Sequence, residues 1–369
     1  MSSYRINIDY ESQLFLNQPK PSWNSEYEYL FLIMGNRGDK LYSENTFSGE
    51  YLNYLETIFG ELPGITSEND PEIKNWWGAL KDLVLERKLN SKITSSELAI
   101  EHCLAHSETA IVKNLAQVKE RILKSKYKSW ILKRGSGSSG VGQYLFDTEK
   151  LQQMKFQNEL EKLFLEEEMI FDPCLKRIMD IGVTFDLEKK THFLIHNFND
   201  QKGAFCGGYK LPAAMSARYS ELVNSLGPIV EAYKEIGATG HLEIDTFSYL
   251  EEGELKWYRL CEVNYRKTMG TFINHLSSFS SEAAIGGWFL FPSKKMKSFS
   301  DLEQLKSCLG TDLYNGERGV IITSPLGNHF LGLYLMAPHL KDLQFTIHQI
   351  WKKLTIKKGP LPSQFQFYF

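Results

Sequence analysis

Glu243 and Asp245 stand two apart in the alternating run Gly240-His241-Leu242-Glu243-Ile244-Asp245-Thr246-Phe247. Glu262 and Asn264 stand two apart in Lys256-Trp257-Tyr258-Arg259-Leu260-Cys261-Glu262-Val263-Asn264, after the turn Glu251-Glu252-Gly253. Side chains two apart on a strand share a face, so a hairpin of these runs carries two acidic stripes. Charges inside apolar strands are costly to bury unpaired. Either the face is simply exposed, or the groups serve a ligand. Asp245, Glu262 and Asn264 together make a set of hard oxygen donors. Such a set suits Mg²⁺, which keeps several waters and borrows phosphate oxygens. Arg266 follows at once and can stabilise a phosphoryl group in transfer.

A second stretch with chemical potential is Trp130-Ile131-Leu132-Lys133-Arg134-Gly135-Ser136-Gly137-Ser138-Ser139-Gly140-Val141-Gly142. A short β-like run delivers Lys133 to a loop built almost wholly of Gly and Ser. Glycine lets the backbone approach a ligand closely, and successive bare N–H groups form a concave anion site. A flexible surface hairpin is the plain alternative. A Walker loop needs Lys and Ser or Thr after its last glycine, where Val141 and Gly142 stand. Gly135, Gly137 and Gly140 satisfy G-x-G-x-x-G, but Gly142-Gln143-Tyr144-Leu145-Phe146 reads as a strand rather than the helix of a dinucleotide fold. No kinase H-R-D or D-F-G segment follows. A lysine before a Gly/Ser hairpin suits a loop that folds down over ATP.

These groups need scaffolds, and 369 residues suffice for two or three domains with real cores. The net charge of −3 gives no general pull toward nucleic acid or anionic membrane. No apolar run is long enough to span a bilayer, and the N-terminus lacks a signal peptide's apolar core. The five cysteines are scattered, without a C-x-x-C pair, which indicates neither a zinc site nor a disulfide framework. A reducing cytoplasm is the expected location.

Tyr29-Leu30-Phe31-Leu32-Ile33-Met34 reads as a strand buried on both faces, with a helix around Glu50–Glu56 after it. That βα pattern suits a small doubly wound lead domain. Trp76 and Trp77 read as core aromatics that start or flank a helix through Leu85. Two helices are expected between Ser95 and Leu123, the second containing Lys113. Another spans Thr148–Leu160, and Lys162–Ile170 reads as a strand with an acidic end. Arg177–Phe185 and His192–His196 form a meander. Leu222–Ile236 is an amphipathic helix, Gly319–Thr323 a strand and Asp342–Leu354 a helix. A Gly-Pro-rich terminus follows.

Lys133 before Gly135–Gly142, Glu167-Glu168-Met169-Ile170, Asp245 and Glu262-x-Asn264-x-Arg266 resemble, in order and spacing, the ATP-grasp superfamily. The resemblance covers roughly residues 105–280. A closer one runs from Asp200-Gln201 through Gly207-Gly208-Tyr209-Lys210-Leu211-Pro212-Ala213-Ala214, Gly240–Asp245 and Asn264–Thr271. It is to the peptide ligases of pheganomycin biosynthesis, in which the last segment usually reads as a Gly-Gly-Thr-Thr-like loop. Here Lys267, Thr268 and Met269 intervene.

The resemblance implies an α+β and α/β ATP-grasp fold, two subdomains clasping ATP, behind a Rossmann-like lead domain. The expected divisions are 1–104 for the lead domain, 105–170 for the small subdomain with the flap, and 171–369 for the large subdomain with a C-terminal extension. Lys133 would hold the α- or β-phosphate, and Gly135, Ser136, Gly137, Ser138, Ser139 and Gly140 would cover the triphosphate. Glu167 would meet the adenine amine, with Glu168 and Ile170 offering backbone or packing contacts to the base. Asp245, Glu262 and Asn264 would bind Mg²⁺, with Mn²⁺ as the alternative. Arg266 would touch the γ-phosphate or an acyl phosphate, and Arg177 would face the phosphates or a substrate carboxylate. Lys113 is the candidate second phosphate lysine. His241 reads as a packed strand residue rather than a base.

The implied reaction joins a carboxylate to an amine through an acyl phosphate, releasing ADP and phosphate. Its partners are small-molecule acids and amines, with no nucleic acid or membrane; dimers are common among similar ligases. A kinase acting on a hydroxyl or phosphate, and a non-catalytic ATP-binding regulator, are the other two readings.

Overall fold

The structure, a computed structural model, describes residues 2–16, 21–68, 71–136, 142–200, 203–280, 284–356 and 365. Three sheets organise it. The first is parallel, in the order β3 (Gly64–Thr66), β2 (Lys40–Tyr42), β1 (Ser3–Arg5), β4 (Lys74–Asn75). The second is antiparallel, in the order β5 (Ala110–Val112), β8 (Met169–Pro173), β6 (Ser129–Arg134), β7 (Gln143–Asp147). The third holds β9 (Arg177–Asp186), β10 (Thr191–Asn199), β11 (Phe205–Lys210), β12 (His241–Glu251), β13 (Glu254–Asn264), β14 (Ile285–Pro292), β15 (Gly319–Ile322) and β16 (Phe330–Ala337). Its order is β13-β12-β9-β10-β11-β14-β16-β15, antiparallel throughout.

The lead sheet is parallel as expected, but its strands lie elsewhere. Tyr29–Met34 is a helix, with Tyr29 through Ile33 all buried. A short run that is apolar at every position carries no period, and only packing decides between strand and helix. Trp76 and Trp77 are core residues, yet they follow β4. The next helix, Leu83–Leu89, starts only at its Asp82 cap. Lys113 precedes rather than occupies the helix Leu115–Lys124, which Asn114 caps by accepting from the Gln117 N–H. The stretch 162–166 completes the helix Met154–Glu166, so β8 starts only at Met169. The region 220–236 is two helices, Ser220–Ser225 and Gly227–Ile236, with Pro228 in the first turn of the second. The Gly-Pro-rich terminus, Phe365 aside, lies outside the described residues.

Two cores sandwich the large sheet. One face packs on the helices Gly227–Ile236, Leu302–Leu309 and Leu340–Leu354. The other meets the helix Met269–Ser277 and the lead sheet's aromatics. Phe272 is the pivot of that second core. Its ring lies edge-on to Trp288 at 4.8 Å and to Tyr29 at 6.4 Å. The small sheet has its own core around Trp130, Leu132 and Phe171 on one face only. Lys133, Ile170 and Asp172 alternate onto its other face. Among the described residues no helix is long and apolar enough to cross a membrane.

Because Phe272 is wholly buried and links two sheets, Phe272→Ala is expected to lower stability by about 3–5 kcal/mol. Urea unfolding followed by tryptophan fluorescence checks this. Leu165→Ala, at a position 88% exposed, should move the midpoint by less than about 0.5 kcal/mol.

Candidate active site

Strands β12 and β13 place Asp245 opposite Glu262 and Glu243 opposite Asn264, so the four polar side chains share one face. The same face continues over β9 through Thr184, Gly182 and Asp180. Among the described residues, no three His, Cys, Asp or Glu side chains form a ready metal cage. The expected donors instead hold protein partners. Asn264 donates from Nδ2 to Asp245 Oδ2 at 2.9 Å. Glu262 pairs with Lys92 at 2.5 Å. Burial alone would raise the Glu262 carboxyl, but Lys92 beside it holds it below its ordinary value.

Asp245 has no such cation. Burial, and then the neighbouring Glu243 and Glu262 carboxylates, push it well above the ordinary aspartate range. Glu243 is also raised by burial, against the pull of two threonine hydroxyls. Thr184 donates to its Oε2 at 2.8 Å, and Thr268 donates to the same oxygen. Thr268 is also the N-cap of the helix Met269–Ser277, so Glu243 anchors that helix to the sheet. Gly270 is needed there: a Cβ would lie 2.8 Å from Glu243 Oε2.

Arg266 leaves β13 and reaches back to the first helix, Tyr10–Leu16. Its Nε and Nη2 donate to Glu11 Oε1 at 3.0 and 2.7 Å, and Nη2 also donates to Asn264 Oδ1 at 2.9 Å. On the small sheet, buried Lys133 lies 2.6 Å from Asp172. Asp172 Oδ1 accepts from Thr109 at 2.5 Å and from Tyr258 at 2.8 Å. Burial would raise Asp172, but Lys133 holds it low. Arg177 pairs with Asp180 at 2.7 Å and covers the Phe247 ring at 4.3 Å. Phe247 in turn stacks on Tyr258, centroids 4.8 Å apart.

The structure therefore brings Lys133, Arg177, Asp245, Glu262, Asn264 and Arg266 together: Lys133 lies over the Tyr258 ring of β13 at 5.7 Å, Arg177 lies over Phe247 of β12, Asp245 faces Glu262 across the strands, and Asn264 bonds both Asp245 and Arg266. Ile170 lies opposite Lys133 in β8, on the same face. Other candidates go elsewhere. Glu167 is bound to Arg134 and to the Gly135 N–H, where it braces the root of the flap. Glu168 is 3.8 Å from Lys113, and the Lys113 side chain is 72% exposed. Ser136 sits at the flap root beside Gly135; Gly137, Ser138, Ser139 and Gly140 lie outside the described residues.

Three residues were not singled out from the sequence. Lys92 opens the helix Lys92–Glu101, capped by Ser91, and its N–H donates to the Gly135 carbonyl at 2.9 Å. Asp172 is the next-to-last residue of β8, before the chain crosses to β9, and Glu11 lies far upstream. A Ser-Lys pair at a helix start was a visible signal for Lys92, but helix-surface lysines are common. Nothing local marked Glu11 or Asp172.

No protein-family model matches the chain, and no curated protein matches it. Solved structures do. The N5-carboxyaminoimidazole synthetase from Staphylococcus aureus complexed with ADP is 12% identical over 95% of this chain and 97% of its own, with a TM-score of 0.54. The biotin carboxylase from Campylobacter jejuni, a β,γ-ATP complex, is 10% identical over 96% and 91%, with a TM-score of 0.57. The biotin carboxylase domain of the Hydrogenobacter thermophilus 2-oxoglutarate carboxylase, solved with MgADP, is 13% identical over 97% and 85%, with a TM-score of 0.55. The chain thus has the ATP-grasp fold behind a parallel-sheet lead domain.

Asp245 supplies a test of the charge balance. Its raised pKa means that the native state resists its ionisation, so stability falls as pH rises from the ordinary aspartate value through the raised one. Asp245→Asn should therefore raise the melting midpoint of the ligand-free protein at pH 8. The gain should fade as pH drops and the wild-type carboxyl takes up its proton. Thermal unfolding across pH 4–8 reads both.

Proposed function

We propose that this protein is an ATP-dependent carboxylate–amine ligase that forms an amide or peptide bond through an acyl phosphate. The observation that carries the reading is the convergence of Lys92, Lys133, Arg177 and Arg266 on the oxygen donors Asp245, Glu262 and Asn264. Four cations around hard oxygen ligands suit a triphosphate and a divalent metal. On this reading residues 1–104, 105–170 and 171–369 act as lead domain, lid and base of the clasp.

Lys133 and Lys92 would neutralise phosphate oxygens, with Lys92 taking the role expected of Lys113. Lys92 also fixes the Gly135 carbonyl, so it couples phosphate binding to the flap. Gly135–Gly142 would cover the triphosphate, and Arg177, Phe247 and Ile170 would line its base end. Mg²⁺ or Mn²⁺ fits the donor set: Asp245 is a desolvated carboxyl with one hydrogen bond and no ion pair among the described residues, whose ionisation a bound cation would favour, and Asn264 and Glu262 adjoin it. A bound metal would neutralise phosphate oxygens. Glu167 acts through the flap root rather than on the base.

A carboxylate is a poor electrophile because its leaving group is poor. Attack of its oxygen on the γ-phosphorus expels ADP and gives an acyl phosphate. A neutral amine then forms the C–N bond as the C–O bond to phosphate breaks. Arg266 would stabilise charge on the transferring group. The protein's remaining share is positioning and exclusion of water. The finer reading, a peptide ligase like those of pheganomycin biosynthesis, is supported by Gly240–Asp245 and Asn264–Thr271.

The test is an ADP-release screen of paired amino acids and short peptides, with mass spectrometry of the products. Amide product with inorganic phosphate is expected; a phosphorylated acceptor without free phosphate identifies a kinase. Glu262→Gln should cut turnover by roughly a hundredfold or more. Lys92→Ala should raise the KM for ATP by roughly tenfold or more, whereas Lys113→Ala should leave it nearly unchanged. Equal effects of the two lysine variants would overturn the Lys92 assignment.

A further inference from the structure

Between β13 and the helix Met269–Ser277, three consecutive side chains meet different fates. Arg266 is taken up by Glu11 and Asn264, and Thr268 by Glu243. Lys267 lies between them, and its ammonium pairs with no acceptor among the described residues. Its backbone N–H is fixed by the Trp77 carbonyl at 2.9 Å. Its Nζ is held over the Trp76 ring, 5.2 Å from the centroid. An ordinary surface lysine extends its ammonium into water. This one is partly buried at the junction of the lead and large sheets, and burial lowers its pKa with no neighbouring carboxylate to oppose the shift.

The position along the cleft gives this cation a use. On the site face of β12 the order is Phe247, Asp245, Glu243, His241. Phe247 lies at the Arg177 end and Asp245 at the proposed metal. Lys267 leaves the chain between Arg266, which holds Asn264, and Thr268, which holds Glu243. It therefore stands one residue from Arg266 and next to the residue that holds Glu243, past Asp245 from the Arg177 end, and on the ligase reading a phosphoryl acceptor would approach there. A partly dehydrated cation without a counter-ion attracts an entering anion more strongly than a solvated one. The flat indole fixes the ammonium by a cation–π contact.

We propose that Lys267, backed by Trp76, is the residue that binds the carboxylate of the acid substrate. This rests on the ligase reading and narrows it: the acid is recognised by charge at Lys267, separately from ATP.

The experiment compares wild type, Lys267→Met and Lys267→Arg in ADP release from ATP. It uses a panel of mono- and dicarboxylic acids with hydroxylamine as the amine probe. Lys267→Met should raise the KM for the acid roughly tenfold or more and leave the KM for ATP within about twofold, and Lys267→Arg should recover part of the loss. An unchanged KM for the acid, or an equal rise for both substrates, overturns the proposal. Retention of the wild-type melting midpoint by Lys267→Met separates binding from folding. If wild type releases no ADP with any acid, the ligase reading fails, and titration calorimetry with glutarate then tests Lys267 directly. Heat with wild type and none with Lys267→Met supports the site; no binding to wild type overturns it.

Discussion

Neutralisation of buried charge is the constraint on which this architecture depends. Three buried ion pairs meet here, Lys92–Glu262, Lys133–Asp172 and Arg266–Glu11, beside a fourth, Arg177–Asp180, whose arginine is exposed. Two of them join distant parts of the chain. Lys92 ties the helix before the small sheet to β13, and Arg266 ties β13 to the first helix. Breaking such a pair leaves a buried charge without compensation, which costs more than the pair contributes. The relative placement of the lead and large sheets is thus fixed by electrostatics as well as by the aromatic core around Phe272.

The pairing leaves an asymmetry. Among the described residues Asp245 and Glu243 form no ion pair with a cation, and Lys267 forms none with an anion. Glu243 and Lys267 lie close together, since Thr268, next to Lys267, bonds Glu243. A protein selected only for stability would have matched or removed them, since hydrophobic replacements of buried charges are often neutral or stabilising. A site for charged ligands, by contrast, needs charges left over for the ligand to meet. Incoming phosphates, metal and carboxylate would redistribute the present ion pairs, with Lys92 exchanging part of its hold on Glu262 for a phosphate oxygen.

Some of this was legible in the chain. Period-two alternation located β12 and β13, and the two-residue spacing put Glu243 with Asp245 and Glu262 with Asn264 on shared faces, because the pleat leaves no other outcome. The Lys133 strand and its glycine-rich sequel announced a hairpin. The run Tyr29–Met34 misled, because an unbroken apolar segment has no period to read. The stretch Lys162–Glu166 misled for a different reason: read as part of a strand, it completes a helix, whose end and the following Glu167 brace the flap root through Arg134 and the Gly135 N–H.

The sequence by itself determined the chemistry available: oxygen donors on a hairpin, a basic loop, and the order in which they occur. Those are local properties, set by side-chain type and strand period. Only the tertiary structure decided which charges meet. Glu11 and Arg266 are separated by most of the chain, and Lys92 and Glu262 by nearly half of it, and no local pattern encodes such contacts. They arise because helices far apart in the chain pack against β13, where each buried charge must find its partner in space rather than along the chain.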